Sequence, residues 1–516
     1  MARTKHVAVK VLGSMGPRRR HVSPTPEIPA TPEIPDFIAL TRDVLINVIR
    51  FLQPRDIVSI RQTCRTFLSI TKLRTVWVNA LRWLMQEHCI TEDTFPLRTM
   101  SLSMLEHLAL SPYRIVSLME QSDNDKLDPA SIRVLSPRLT NEEKDIYGIL
   151  HSGELYDFSL ASGGRYLSTV ASCSDASSLF TVWDLGLSGN DRVKALTRLV
   201  QPVICCELIN FFPDLNKLGV FYLVSRRDSP QGIIVDVHTI TISPPISTFV
   251  SVSKIWMPAT GSTYVFACPE LQRITIRTDN TEINKFLIWD FIHNMAAVWV
   301  AADCPIDPGL AIFSYDDSLV VGLADKMFIY NIPPFVPYNP DVVPKRLEPS
   351  ICLYSPLPVS NAFFLLQDSW PLPRAPKYMC AANSEQIVVY KNNNILSSDA
   401  GSAMPNKLPT FAASVSAAYP SFAHNNRDIF IQMVQAVGHL FLGCYDEDSG
   451  ILKVFMVKIA DQPVGQRDII PFRVFLGNDP ADVFQFTQFY PLTGRMCYLT
   501  KECRRLHVLD FIVPPE

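Results

Sequence analysis

The sequence predicts an α+β multidomain protein in which a three-helix domain and a helical linker precede an all-β propeller of about seven blades. Apolar residues recur at helical spacing over roughly the first 120 residues and with a period of two beyond about residue 150. Pro, with 40 residues, also outnumbers Gly, with 20. Long helical bundles tolerate so much proline poorly, because each ring removes a backbone donor. Short strands joined by loops accept it.

Charge divides the 516 residues into a basic beginning and an acidic remainder. Residues 1–22 carry six Lys and Arg and no acid, residues 23–35 carry two Glu, and residues 36–90 carry eight Lys and Arg against four Asp and Glu. Since the net charge is −3, residues 91–516 carry −11. An acidic main body argues against a nucleic-acid partner. The basic helical region suits an acidic protein.

Cysteine usage and hydropathy predict a soluble intracellular protein, located in the cytoplasm, the nucleus or both. None of the twelve Cys forms a CxxC pair, and Cys205–Cys206 lacks metal-ligand spacing, so we expect reduced thiols and no metal. Basic residues among the first ten interrupt any secretory signal. No apolar run approaches the roughly 18 residues of a membrane span, so no membrane partner is expected.

Residues 1–35 are predicted to form a disordered basic and Pro-rich tail. The stretch Thr25–Pro35 contains the pentapeptide TPEIP twice, and its proline spacing favours extended polyproline II structure. Arg18–His21 is a weak match to a nuclear-import signal. We favour a solvated tail.

Helical spacing begins at Leu40. The run Leu40–Leu52 places apolar residues on one broad face, and Pro54 is expected to end this helix. Asp56 is expected to cap the next helix, whose apolar stripe continues through Ile57–Leu68 over about three turns.

A third apolar run covers Trp77–His88, and Ser103 has capping-box spacing to Glu106, which predicts a further short helix. These observations predict a three-helix domain at 36–82 and a helical linker at 83–125.

Beyond the linker, seven hairpins predict a propeller at 126–516. Equivalent positions in successive hairpins lie 41 to 67 residues apart, which fits four-stranded blades of roughly 40–50 residues with long loops. Six or eight blades fit the irregular spacing as well. Residues 131–137 are expected to pair with the final blade. The seven units are Tyr166–Asp184, Leu218–Val237, a unit closed by Phe286–Asp290, Leu319–Asn331, Met379–Tyr390, Leu440–Val457 and Met496–Asp510.

Motifs that carry chemistry are mostly missing. The sequence has no GxxxxGK loop, GxGxxG turn, HExxH motif or GxSxG elbow, so no catalytic residue and no cofactor is predicted. Asp446–Gly450 lacks EF-hand spacing and is interpreted as a hairpin turn. Trp183-Asp184 and Trp289-Asp290 resemble the dipeptide that ends WD-repeat blades, in which Trp packs between blades and Asp bonds within one.

The helical region carries the most specific pattern. Residues 40–77 combine paired apolar residues, a Leu-x-Pro-x-Asp break at 52–56, a Cys-Arg-x-Phe step at 64–67, and Trp77 ten residues later. This pattern resembles the F-box. Residues 126–516, including the stretch 163–185, more loosely resemble the degenerate WD-type propeller of a large group of F-box proteins.

The resemblance implies the substrate-recognition subunit of a Skp–cullin–F-box ubiquitin ligase. The F-box would bind the acidic Skp-type adaptor, and through it a cullin, while the propeller binds an unidentified target protein. Thr41 and Asp43 stand where the family usually has Pro and Glu, and both suit a helix start. The implied adaptor contacts are Leu40, Val44, Leu45, Ile49, Leu52, Pro54, Ile57, Ile60, Cys64 and Phe67.

Two other functions stay open at this point. One is an F-box/propeller interaction scaffold without ligase activity, and the less favoured one is a propeller hydrolase, for which the sequence offers no repeated catalytic box. The target-binding residues are unknown. Arg226, Arg227, Arg273 and Arg277 are available for binding a phosphorylated segment, as Arg clusters in WD-type receptors often do.

Overall fold

In a computed structural model, the chain folds into a helical region at residues 40–121, which is followed by a series of antiparallel sheets. The predicted tail at 1–35 and most of the predicted turn at 446–450 lie outside the described residues. The structure describes residues 40–88, 90–121, 127–149, 151–173, 176–189, 191–203, 206–242, 247–258, 261–269, 271–279, 284–302, 304, 311–315, 317–322, 326–354, 363–365, 378–382, 386–391, 410–416, 432–436, 439–446, 451–458, 469–474, 484–500 and 505–514.

Six helices occur in the described part of the chain, five of them in the helical region. They are α1 (Arg42–Ile49), α2 (Pro54–Arg61), α3 (Arg65–Thr71), α4 (Arg74–Glu87), α5 (Leu102–Gln121) and α6 (Asn141–Tyr147). A strand, β1 (Ser131–Leu135), lies between α5 and α6. None of the helices within the described ranges is long and apolar enough to cross a membrane.

The second predicted helix differs from the observed one in its cap and its length. Gln53 is the N-cap of α2 and Pro54 its first residue, so the expectation that Asp56 is the cap is wrong, and Asp56 lies in the first turn. Proline fits the first turn because its missing N–H has no partner there. The stripe predicted over 57–68 is divided between α2 and α3, which are separated by residues 62–64.

The predicted short helix near residue 103 is much longer than expected. α5 has 20 residues and continues through Pro112, a residue that normally interrupts a helix. Leu108, Ile115 and Met119 are buried on either side of it. Burial of this apolar face therefore outweighs the backbone hydrogen bond that Pro112 cannot donate.

The described strands from residue 152 onward, together with β1, form seven sheets, numbered here in chain order. Each has four antiparallel strands as its main path, and sheet 3 adds two short strands at its edge. Sheet 1 contains β2 (Ser152–Leu160), β3 (Tyr166–Cys173), β4 (Ser178–Asp184) and β5 (Lys194–Gln201); sheet 2 contains β6 (Glu207–Pro213), β7 (Val220–Ser229), β8 (Gly232–Thr241) and β9 (Phe249–Met257); sheet 3 contains β10 (Ser262–Cys268), β11 (Arg273–Asp279), β12 (Asn284–Asp290) and β13 (Met295–Ala301).

The later sheets follow the same order along the chain. Sheet 4 contains β14 (Ala311–Tyr315), β15 (Ser318–Gly322), β16 (Lys326–Asn331) and β19 (Ile351–Tyr354), and the segment before β19 supplies β17 (Val336–Pro337) and β18 (Lys345–Leu347) to the edge of sheet 3. Sheet 5 contains β20 (Phe363–Leu365), β21 (Tyr378–Ala382), β22 (Gln386–Lys391) and β23 (Thr410–Ser416); sheet 6 contains β24 (Gln432–Ala436), β25 (His439–Asp446), β26 (Ile451–Lys458) and β27 (Ile469–Val474); sheet 7 contains β28 (Phe484–Tyr490), β29 (Arg495–Thr500), β30 (Leu506–Asp510) and β1.

The sheets are arranged as the blades of a β-propeller. The first strand of one sheet contacts the first strand of the next at β2–β6, β6–β10, β10–β14, β14–β20 and β24–β28, and β28 in turn contacts β2. Radial repetition of four-stranded sheets in this order defines the propeller architecture. The predicted fold class is therefore confirmed. Six of the seven predicted units coincide with the two central strands of a sheet, and the remaining one, Phe286–Asp290, coincides with β12.

The first strand of the propeller region completes the last sheet, as expected for residues 131–137. β1 pairs antiparallel with β30 over residues 131–135. The Asp510 carboxylate accepts hydrogen bonds from Arg495 Nε at 2.6 Å and from Arg133 Nη2 at 2.7 Å. Arg495 Nη1 also donates to the carbonyls of Gly164 and Gly186 in sheet 1. One buried charge cluster thus connects β1, sheet 7 and sheet 1.

Trp183, Asp184 and Trp289 have the structural roles that the sequence predicts. Trp183 Nε1 donates to Thr169 Oγ1 at 2.9 Å, and Asp184 forms an ion pair with Arg165 at the start of β3. Trp289 is buried in a core shared by sheets 2 and 3. Both Trp side chains therefore pack in the propeller core, and Asp184 forms its ion pair within its own sheet.

Candidate protein-interaction site

Helix α1 presents two apolar faces, of which only one is buried. Leu45 and Ile49 lie in a core that continues from the helical region into sheets 1 and 7, and each is 1% exposed. On the other face Leu40, Val44, Val48 and Phe51 are 39%, 43%, 38% and 82% exposed. Their spacing of four, four and three residues places them on one side of the helix. These four residues are called the α1 stripe below.

The ten predicted contact residues are distributed over three environments. Leu40 and Val44 are exposed, while Leu52, Ile60, Cys64 and Phe67 are half-buried. Four others are buried in the chain's own core, which leaves them no surface for a partner, and we therefore correct their assignment to core residues that position α1 and α2. These four are Leu45, Ile49, Pro54 and Ile57.

Sequence reasoning missed three exposed apolar residues. Val48 and Phe51 complete the α1 stripe, and Leu68 on α3 is 39% exposed. A signal for Val48 and Phe51 was present, because they follow Val44 by four and seven residues. Nothing in the pattern distinguished Leu68 from its buried neighbours.

The first three helices carry several exposed arginines. Arg42 and Arg50 are exposed on α1 and at its end, and Arg55 and Arg65 are exposed at the starts of α2 and α3. The guanidinium of Arg50 lies 5.8 Å from the centre of the Phe51 ring. An apolar stripe bordered by arginines is complementary to a partner helix with an apolar face and acidic flanks.

Cys64 is the N-cap residue of α3 and is half-buried. A hydrogen bond from the backbone N–H of Phe67 lowers the pKa of the Cys64 thiol, although burial acts in the opposite direction.

Arg61 on α2 contacts residues of three other helices. Its guanidinium donates to both carboxylate oxygens of Glu106 on α5, at 2.8 and 3.0 Å, and its Nε donates to Thr71 Oγ1 at 3.3 Å. It also lies 5.3 Å from the ring centre of Trp77, whose indole N–H donates to the Thr71 carbonyl at 2.8 Å. Charge-assisted bonds of Arg61 therefore join α2, α3 and α5, and Trp77 connects α4 to the same cluster.

The segment between α4 and α5 attaches the helical region to the propeller. Arg165 donates to the carbonyls of Asp93 at 3.0 Å and Thr94 at 3.3 Å, and Tyr166 Oη donates to the Asp93 carbonyl at 3.3 Å. The Asp93 carboxylate accepts from the backbone N–H of Gly219. Burial raises the pKa of Tyr166 to about 12, so its hydroxyl stays a donor at neutral pH.

These contacts place the helical region at one end of the propeller. They involve the turns between the first and second strands of sheets 1 and 2, at 161–165 and 214–219. Because successive strands are antiparallel, the turns between second and third strands and the connections between sheets lie at the opposite end. That end, including the turn between β7 and β8, is the surface farthest from the attachment.

The arginines considered for phosphate recognition are each engaged by this chain. Arg226 pairs with Glu207 at 3.3 Å and Asp228 at 3.1 Å, and Arg227 pairs with Asp236 at 3.1 Å. Arg277 is buried against Asp279, and Arg273 lies over the Phe335 ring. In the part of the propeller that the structure describes, these four arginines do not form one shared phosphate site.

No group of three or more His, Cys, Asp or Glu side chains within the described ranges is placed to hold a metal ion.

Comparison with known proteins identifies the helical region. Residues 37–79 match the family model of the F-box domain. A search of curated protein sequences found no match.

The similar solved structures are propellers at low identity. The β-propeller domain of Cps50 (Swd1) from Myceliophteria thermophila is 11% identical, with 70% of this chain and 97% of that chain covered and a TM-score of 0.40. The WD40 domain of Pan2 from Neurospora crassa is 10% identical, with 77% and 99% covered and a TM-score of 0.35. Sqt1 from Chaetomium thermophilum is 10% identical, with 67% and 80% covered and a TM-score of 0.37. The propeller assignment rests on the sheet order of this chain.

Proposed function

We propose that this chain, which carries an F-box domain followed by a β-propeller, is the substrate-recognition subunit of a Skp–cullin–F-box ubiquitin ligase. F-box domains typically bind a Skp-type adaptor, and propellers typically bind protein targets. The observation that carries the proposal is the exposed α1 stripe on a helix whose opposite apolar face is buried.

The α1 stripe has the properties of an interaction hot spot. Phe51 is 82% exposed, so a partner can bury most of its ring, and burial of a whole aromatic side chain contributes about 1.5–3 kcal/mol. Aromatic and Arg side chains dominate binding energies at interfaces, and Arg50 lies beside Phe51. The Skp-type adaptor is acidic, which matches the arginines around the stripe.

The propeller would hold the target at the end opposite the helical region. The Arg165–Asp93 contact attaches the helical region to the propeller, and the Arg61–Glu106 ion pair joins two helices within the helical region. The chain itself would perform no chemistry. Ubiquitin transfer would be accelerated because the target's lysines are held near the charged ubiquitin carrier, an effect of proximity.

Calorimetric titration of the full chain with a recombinant Skp-type adaptor tests the proposal. Val48→Asp places a carboxylate in the stripe and should weaken binding at least about tenfold, since an unpaired charge is buried in the complex. Leu118→Asp on α5 is the matched control, because Leu118 and Val48 are 37% and 38% exposed. Equal affinities of the two variants, or no adaptor binding by the wild-type chain, would contradict the proposal.

Ubiquitination of a propeller-bound protein in a reconstituted ligase would support the receptor function over that of a scaffold without ligase activity. Turnover of a glycoside or ester by the chain alone would instead favour a hydrolase. We also propose a cytoplasmic or nuclear location, which is supported by the scattered spacing of the twelve cysteines in the sequence, none of which forms a CxxC pair.

A further inference from the structure

Carboxylates are concentrated where the first strands of sheets 1 and 2 begin. Asp157 lies on β2, with Glu154 exposed before it on the same strand, and Glu207 is the first residue of β6. The side chains of Glu207 and of Asp228, near the end of β7, are 55% and 80% exposed. Because neighbouring sheets contact each other through their first strands, β2 and β6 border the central channel of the propeller. We call these four acids the channel mouth; they lie at the end opposite the helical region.

The channel mouth carries more negative than positive charge. In the described part of sheets 1 and 2 one cation, Arg226, lies among the four carboxylates, and it pairs with Glu207 at 3.3 Å and with Asp228 at 3.1 Å. The adjacent Arg227 is neutralised by Asp236. Four carboxylates and one guanidinium give a formal charge of −3. Such a surface attracts cationic partners and repels anionic ones.

Asp157 is the least stable of these carboxylates in its charged form. Its two oxygens accept hydrogen bonds from the backbone N–H groups of Phe158 and Leu208, each at 2.8 Å, so it joins sheet 1 to sheet 2. Burial raises the pKa of Asp157 to about 7, and Glu207 acts in the same direction, although the two hydrogen bonds oppose the shift. A cationic group that enters the channel mouth would stabilise the carboxylate.

Asn210 repeats the geometry of Asp157 one sheet further along the chain. Its Oδ1 accepts from the backbone N–H of the next residue, Phe211, at 2.7 Å, as Asp157 Oδ1 does from its own next residue. Asn210 is paired with Val224, which packs in the core shared by sheets 2 and 3. The Nδ2 group of Asn210 therefore takes the place of the second Asp157 oxygen and is directed toward the first strand of sheet 3.

Two buried polar groups at this junction have no hydrogen-bond partner among the described residues. They are Nδ2 of Asn210, a residue 2% exposed, and Oγ1 of Thr263 on β10, a residue 7% exposed. Thr263 is close to the carboxylates, because its carbonyl accepts from Arg226 Nη1 at 2.7 Å. Buried polar groups are rarely left without a partner. These two therefore indicate a polar ligand, and a peptide backbone supplies both a carbonyl for Nδ2 and an N–H for Oγ1.

We propose that the channel mouth binds a basic, Lys- or Arg-containing segment of a partner protein. The cationic side chains contact Asp157, Glu207 and Asp228, and the backbone of the segment bonds to Asn210 and Thr263. The site itself requires no adaptor, whereas its role in selecting a ligase target rests on the proposed function. A phosphorylated segment is disfavoured, because the arginines that it would need are paired with carboxylates of this chain.

Fluorescence anisotropy of a labelled peptide of alternating Ala and Arg, titrated with the full chain, tests the site. The variant Glu207→Gln, Asp228→Asn removes two exposed carboxylates from the channel mouth and should weaken binding about fivefold to tenfold, since exposed ion pairs contribute modestly. The matched control is Asp341→Asn, Glu348→Gln. It changes the net charge equally, at two exposed residues next to the short edge strands of sheet 3.

We expect the control variant to bind the Arg peptide as the wild type does. Equal weakening in both double variants would reflect attraction to the acidic body as a whole and would overturn the site. Tighter binding of a peptide with phosphoserine in place of Arg would overturn it as well. The expected difference between the variants, with no binding of the Skp-type adaptor, would support the site and refute the proposed function. Adaptor binding without any binding of the Arg peptide would overturn the site and leave the proposed function supported.

Discussion

Substituting Asp510 by Asn should loosen the strand that completes the last sheet. Asp510 accepts from Arg495 at 2.6 Å and from Arg133 at 2.7 Å, and the Arg495 side chain is 2% exposed. Asparagine keeps the size of the side chain and removes its charge, which leaves two guanidiniums in the interior without a carboxylate. Breaking a buried ion pair in this way costs about 3–5 kcal/mol.

Hydrogen–deuterium exchange of β1 and β30 measures this effect locally, because exchange reports the free energy of local opening. At about 1.4 kcal/mol for each factor of ten, amides of residues 131–135 should exchange roughly 100-fold to several thousand-fold faster. Asp228→Asn is the control. Asp228 pairs with Arg226 at 3.1 Å but is 80% exposed, so its loss should cost about 0–1 kcal/mol. A change below about tenfold in the Asp510 variant would refute the reasoning.

Two further predictions concern the helical region and its attachment. Burial and, to a smaller extent, Arg114 lower the pKa of His107 from 6.5 to about 4. Because unfolded His107 binds a proton at a higher pH than the folded residue does, its contribution to the free energy of unfolding should be complete above pH 6.5 and fall by about 3 kcal/mol toward pH 4. His107→Gln should flatten this pH dependence in urea unfolding. Gly163 has φ +89 and a Cβ there would lie 2.3 Å from Thr94 Cγ2, whereas Gly148 has φ +67 with open space around it. Thermal unfolding should show Gly163→Ala less stable than Gly148→Ala by about 1–3 kcal/mol, and equal midpoints would contradict the close contact.

The sequence pattern located the central strands of the sheets better than the edge strands. β3, β4 and β12 are almost wholly buried, and apolar residues form most of each strand's interior. β9 is largely exposed although six of its nine residues are apolar, so its hydropathy does not indicate its edge position. The pairing of β13 with β17 and β18 was not predictable, because these two strands have only two and three residues and come from a later part of the chain.

In α1 the sequence identified the apolar residues but not their sorting into core and surface. Val44, Leu45, Val48 and Ile49 are equally suited to a core, and hydropathy alone does not distinguish them. The packing of α3 and α4 against α1 buries Leu45 and Ile49 and leaves Val44 and Val48 exposed. Only the three-dimensional arrangement of these helices determines which face stays open.

Contacts between distant residues were beyond sequence reasoning, whereas one local signal was overlooked. The bonds from Arg165 to Asp93 and Thr94 join residues more than 70 positions apart, and no local pattern indicates them. Thr140 and Glu143 form a complete capping box at the start of α6. That spacing was visible in the sequence and would have predicted the helix.

The most direct test of the central claim is a map of the surface that the Skp-type adaptor protects on the full chain. Hydrogen–deuterium exchange should slow in residues 40–52 on complex formation, while the turn between β7 and β8 at the opposite end of the propeller stays unchanged. Protection of that turn, with the exchange of residues 40–52 unaltered, would contradict the assignment of the α1 stripe as the adaptor site.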